Sequence, residues 1–117
     1  MKTDLSYLNE MSGGNKELIE EMINIFLSQV DEFSRDMEMH LLNKDYEKLG
    51  KLAHKAKSSV SIMGLNKLAK DLKILEELAK DGKDPIKYPK LVKSFKDETS
   101  EAVEELNVVK KNIELYF

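Results

Sequence analysis

The chain contains no cysteine, no tryptophan, only two prolines and only five glycines in 117 residues. Without cysteine there are no disulfides, no thiolate zinc sites and no thiol catalysis. With so little proline and glycine, few points can interrupt a helix. No stretch approaches the roughly 18 apolar residues that a membrane span needs. The opening segment MKTDLSYLNEM has no uninterrupted apolar run of the kind a signal peptide carries. A cytoplasmic domain with no membrane association is therefore expected. The net charge of −3 supplies no basic surplus for nucleic acid, so no nucleic-acid partner is expected either. There is also no glycine-rich phosphate loop, which argues against the use of ATP by this chain.

What the chain does have is Lys, Glu, Leu and Met in helical periodicity. A short helix is expected over 3–11, with Thr3 as its cap, followed by the break Ser12-Gly13-Gly14-Asn15. From Asn15, a second cap, the stripe Ile19, Met22, Ile23, Phe26, Val30, Phe33, Met37 and Leu41 predicts about seven turns. After Asn43 and Lys44, another helix begins near Asp45 and carries Leu49, Leu52, Ala53, Ala56, Val60 and Met63. Gly64 suits its end and Asn66 the next cap. Leu68, Leu72, Leu75 and Ala79 line the following helix, which Asp81-Gly82-Lys83-Asp84-Pro85 stops. The final seam runs from Tyr88 through Val92, Phe95, Thr99, Ala102, Leu106, Val109 and Ile113 to Tyr116, with Pro89 in its first turn. Short joints between long helices predict an all-α, antiparallel up-down four-helix bundle with a short additional N-terminal helix. It forms one domain over 1–117.

His54 is the residue that packing does not explain. At about 100° per residue, Leu49, Leu52, Ala56, Val60 and Met63 fall opposite it, so its ring faces water. Gly50, Lys51, Lys57, Ser58 and Ser61 share or border that face. Small residues leave an imidazole open to close approach, and a glycine inside a helix costs about 1 kcal/mol relative to alanine, so Gly50 needs a reason. Lys57 follows at i+3, within reach of anything bonded to the ring. An unperturbed imidazole, with a pKa of ~6.5, is a competent nucleophile near neutral pH. Phosphoryl transfer asks mainly for positioning and neutralisation of oxygen charge, which an exposed imidazole beside an ammonium can supply. Hydrolysis would need a water-activating group, and the pattern shows no carboxylate base close to His54.

The segment His54-Lys55-Ala56-Lys57-Ser58, with Gly64 ten residues after the histidine, resembles the histidine-phosphotransfer (HPt) domains of phosphorelays, whose motif reads H-x-x-K-G followed by a distal glycine. Leu65, Leu68, Ala69, Leu72, Leu75 and Glu76 look like the next helix of that family. The resemblance implies a four-helix bundle in which His54 is the phosphoacceptor, exchanging phosphoryl groups with receiver-domain aspartates, and Lys57 offsets the phosphoryl charge. Gly50, Lys51, Lys55, Ser58 and Ser61 would then meet the partner, and Gly64 would be structural. No cofactor is expected on this chain, the Mg²⁺ being supplied by the receiver, and a monomer is expected. Ser58 departs from the family's glycine, but it is small and its hydroxyl can donate to a phosphoryl oxygen. The domain could stand alone or belong to a hybrid sensor kinase.

Two other readings compete. A phosphoacceptor hairpin of a histidine kinase usually has an acidic residue after its histidine, where this chain has Lys55. A helical adaptor would leave His54 without chemistry. Elsewhere, His40 reads as a partly buried or dipole-favoured residue near a helix end. Met22, Met37 and Met39 read as packing residues. Lys67 and Lys70 extend the basic run, which suits either solubility or an acidic partner. Asp97, Glu98, Glu101, Glu104 and Glu105 read as a solvated face. Two isolated histidines without a Glu-x-x-His pair make no metal site.

Overall fold

The computed structural model describes residues 2–117. Among these residues six α-helices follow one another: α1 (Ser6–Ser12), α2 (Lys16–Leu42), α3 (Tyr46–Ile62), α4 (Asn66–Lys80), α5 (Tyr88–Lys111) and α6 (Ile113–Tyr116), with a 3₁₀ turn over Pro85–Lys87. No strand occurs among the described residues. The expected all-α fold is what forms.

Helix starts follow side-chain chemistry where a cap is available. Asn15 accepts from the Leu18 N–H at 3.0 Å, and Asp45 accepts from the Lys48 N–H at 3.2 Å. Each satisfies one of the first-turn donors that a helix leaves unpaired. Three of the long helices end alike. The N–H groups of Asp45, Leu65 and Lys83 return to the carbonyls of His40, Val60 and Leu78, five residues back. The residue before each closing donor is left-handed: Lys44 at φ 55°, Gly64 at 73° and Gly82 at 64°. This closure spends only three residues on the joints after α2 and α3, whereas the joint after α4 is longer and includes the 3₁₀ turn.

Side-chain pairs record the resulting register. Gln29 meets Ser59 between α2 and α3, His54 meets Glu76 between α3 and α4, and Lys110 meets Asn24 while Lys96 meets Glu38 between α5 and α2. Between α2 and α5 one number rises as the other falls, so these two run antiparallel, and the short joints turn α3 back along α2 and α4 back along α3. Helix α4 also packs on α5, which closes the ring of four. The body is elongated, 45 × 20 × 20 Å. Its core is the apolar stripe of each long helix, with Phe26, Phe33, Met37, Leu49, Leu72, Leu75, Phe95 and Leu106 at or near complete burial. At roughly 1.5–3 kcal/mol for each large side chain buried, these stripes drive the assembly.

Several local expectations are corrected. Thr3 does not cap α1, which begins at Ser6 after Asp4 Oδ1 has accepted the Ser6 N–H at 3.0 Å. Thr3 is instead buried, with its N–H and hydroxyl both donating to Glu105. Asn66 is the first residue of α4, not its cap, because the preceding Leu65 is committed to closing α3. The last helix does not run unbroken to Tyr116. Asn112 donates through Nδ2 to the Val108 carbonyl at 3.0 Å and leaves helical geometry at φ −129°, and Tyr116 is exposed. An amide side chain that bonds nearby backbone competes with the helix ladder. Met37 is buried and Met22 half-buried, but Met39 is exposed and fills no space in the core.

The acidic face of α5 is only partly a solvated one. Glu105 accepts from the N–H groups of Lys2 and Thr3 at 2.8 and 3.1 Å and from the Thr3 hydroxyl at 3.0 Å, while Lys2 Nζ reaches Glu101 at 3.0 Å and Glu98 at 3.5 Å. Residues 2–5 are thereby strapped across the bundle end. Burial works to raise the Glu105 pKa, but the hydrogen bonds from Thr3 and Lys2 prevail and hold its carboxyl below the usual range. A carboxylate with a depressed folded-state pKa adds stability above its unfolded pKa and loses it as pH falls through the folded value. Glu105→Gln is therefore expected to cost about 1 kcal/mol at pH 7. It should also flatten the fall in melting temperature below about pH 4.3, the ordinary glutamate value. Melting curves at pH 7 and across the acid range check both, and an unchanged acid slope would contradict the role given to the strap.

Candidate functional site

The candidate site lies on the α3–α4 face. Ala53, Ala56 and Val60 are buried, so α3 docks through that side and turns His54 outward, with 64% of its side chain exposed. The ring is not isolated. Nδ1 lies 2.9 Å from Glu76 Oε2, and Lys57 Nζ lies 3.1 Å from Glu76 Oε1, so one α4 carboxylate bridges both α3 side chains. Burial works to raise the Glu76 pKa, but hydrogen bonds and charge from Lys57 and His54 outweigh it and leave the group below the ordinary carboxylate range. An ionised carboxylate accepts only, so the shared proton resides on Nδ1. In the neutral ring Nε2 then carries the lone pair, and it has no partner among the described residues.

The expectation that no carboxylate stands near His54 is thus overturned. Periodicity along α3 places only α3 residues around the ring, whereas Glu76 arrives from the neighbouring helix. The one signal for it was its place in the α4 segment that resembles the HPt family.

The other singled-out residues separate into groups. Gly50 is buried rather than displayed. A Cβ there would stand 3.3 Å from the Lys80 backbone nitrogen and 3.4 Å from both the Ala79 Cβ and the Glu76 carbonyl oxygen. Its reason is the close approach of α4, which in turn brings Glu76 to the histidine. Lys51 is exposed and pairs with Glu47 at 3.4 Å. A groove of about 520 Å³ beside the ring is lined by Glu47, Gly50, Lys51, His54, Glu76 and Lys80. Lys55 leaves this face and sets its ammonium 5.9 Å from the Phe33 ring centroid, against α2.

Lys57 is only half-exposed because Glu76 holds it. Ser58 is exposed. Ser61 is exposed as well, but its hydroxyl donates to the Lys57 carbonyl at 2.8 Å. His40 is half-buried in the last turn of α2, as expected, and takes no part in the site. Lys67 and Lys70 are exposed on α4. Gly64 lies ten residues from His54 at the left-handed end of α3, where a Cβ would come within 2.4–2.6 Å of Asp4. Among the described residues no cluster of His, Asp or Glu could hold a metal ion, and no helix is long and apolar enough to cross a membrane.

An outward imidazole steadied by a carboxylate, with an ammonium one turn away on a helical bundle, is an arrangement chemically able to carry a group on histidine. Residues 21–106 match the Hpt domain family, and the chain belongs to that family. Membership implies histidine phosphotransfer in phosphorelay signalling and interaction with receiver domains. No curated protein and no solved structure matches the chain.

Proposed function

We propose that this chain is a phosphocarrier domain in which His54 accepts a phosphoryl group at Nε2 from the aspartyl phosphate of one receiver and returns it to the aspartate of another. The observation that carries the reading is the Glu76 bond to Nδ1, which leaves the opposite ring nitrogen with a lone pair and open access. In the forward step the Nε2–P bond forms as the O–P bond of the aspartyl phosphate breaks, and the carboxylate departs with the electron pair. Because Nε2 already holds a lone pair, no base has to remove a proton first.

Lys57 would turn part of its charge from Glu76 to the incoming oxygens, and Glu76 would offset the positive charge that the ring acquires. The Mg²⁺ belongs to the receiver, whose acidic pocket the exposed Lys51 suits by charge. The domain spans 1–117, acts in the cytoplasm as a monomer, and contributes no ATP chemistry.

The test is incubation with a panel of receivers carrying labelled aspartyl phosphate. Label should move to this chain as an acid-labile, base-stable adduct, and chelation of Mg²⁺ should stop the transfer. Lys57→Ala should still accept phosphoryl groups but transfer them about three- to tenfold more slowly, the scale of a solvent-screened charge of about 1 kcal/mol. If label never leaves any receiver, the phosphocarrier reading is wrong and a helical adaptor takes its place.

A further inference from the structure

We infer that Ser58 is a direct ligand of the phosphoryl group on His54 and sets the lifetime of the phosphohistidine. The inference rests on the proposal that His54 is the phosphoacceptor. It begins from the disposition of the donors on α3. Three serines follow the histidine, and two of their hydroxyls are engaged. Ser59 donates to Gln29 Oε1 at 2.9 Å, and Ser61 donates to the Lys57 carbonyl at 2.8 Å. Ser58 is exposed, and its hydroxyl has no hydrogen-bond partner among the described residues. Lys57, the cation that follows the histidine at i+3, is held 3.1 Å from Glu76 with 27% of its side chain exposed. Lys51 pairs with Glu47 and Lys55 is turned toward Phe33 of α2, so the uncommitted donor that remains nearest the histidine is Ser58.

Position favours it further. Residues four apart on a helix are neighbours, with Cβ atoms about 5–6 Å apart. Helical Cα–Cβ bonds tilt toward the N-terminus at His54 and Ser58 alike, so the two side chains keep that spacing on one face. A phosphoryl group on Nε2 would add three strong acceptor oxygens outside the ring, and one turned toward the next helical turn would meet that hydroxyl. It rotates freely to meet one of them, since nothing else holds it.

The direction of the effect follows from the reaction. Loss of a phosphoryl group passes through a loose, metaphosphate-like state in which charge on the non-bridging oxygens falls. A donor to those oxygens bonds the intact phosphohistidine more strongly than the transition state, and so slows hydrolysis. The serine that stands where the HPt motif has glycine would then exchange some ease of approach for a longer-lived phosphoryl store.

The experiment charges His54 with phosphoramidate, a small donor whose P–N bond breaks as Nε2–P forms and ammonia leaves, so no receiver is involved. The decay of the adduct is then followed in wild type, Ser58→Ala, Ser58→Gly and Ser58→Thr. Alanine and glycine should both shorten the half-life about three- to tenfold, the range that a single charge-assisted hydrogen bond near solvent commands. Threonine should restore most of it. Equal half-lives in wild type and Ser58→Ala overturn the proposal. So does a glycine effect that alanine lacks, because that reports helix loosening. If the wild type takes up no more phosphoryl than His54→Gln, the phosphoacceptor assignment has failed instead, and the two failures are distinguishable.

Discussion

His54→Gln should abolish phosphoryl acceptance while leaving the melting curve within about 0.5 kcal/mol of wild type. The ring is mostly exposed and makes no core contact, so its removal opens no cavity. Glutamine can still donate a hydrogen bond toward Glu76, which preserves the α3–α4 bridge in part. What it lacks is a nitrogen lone pair, since amide nitrogen is delocalised into its carbonyl. The expected loss is therefore complete rather than graded, at least a thousandfold by the scale of losing a covalent nucleophile. His40→Gln should retain full transfer, because His40 lies in the last turn of α2, away from Glu76 and Lys57. Labelled transfer assays together with circular dichroism melts check both variants. Residual acceptance by the His54→Gln protein would sink the assignment.

Gly64→Val should have the largest effect on stability of any single substitution considered, and two separate causes produce it. The first is the backbone, since φ of 73° is strained for any L side chain and most of all for a β-branched one. The second is space. An added Cβ would lie 2.4 Å from the Asp4 carbonyl oxygen and 2.6 Å from its nitrogen, so the strap must lift, and the Asp4 N–H bond to the Met63 carbonyl at 3.1 Å goes with it. Together these should cost at least about 2 kcal/mol, or on the order of 10 °C in melting temperature.

Gly64→Ala meets the same Cβ contacts and should fall only slightly short of valine. A double-mutant cycle separates the causes. Once residues 2–5 are removed, Gly64→Ala should retain the backbone cost and lose the steric one, so the two changes are expected to be strongly non-additive. Strict additivity would show that the strap and the α3–α4 turn are not coupled. Phosphoryl acceptance by the folded fraction should persist, since Gly64 does not touch the ring.

The three-plus-four spacing of apolar residues was sufficient to place the four long helices and most of the core, because burial of one stripe is a property each helix carries in its own order of residues. It also determined that His54 faces outward, and that Asn15, Asp45 and Gly64 mark helix ends, since those roles depend on chemistry within a few positions. The α5 break at Asn112 was local as well, yet it was masked by a seam that stayed in register beyond it.

What the order of residues along one helix could not contain is anything supplied by another. Gly50 looked like a cleared surface and is a contact point for α4. Lys55 looked like part of the site and lies over Phe33 of α2. Thr3 looked like a cap and is bound to a carboxylate 102 positions away. Above all, the carboxylate that orients the imidazole sits on α4, 22 positions from the histidine, and reaches it only because three residues turn the chain back and Gly50 lets the two helices close. Periodicity fixes angles about one axis. The distance between two axes, and so which side chains meet across them, is set by packing.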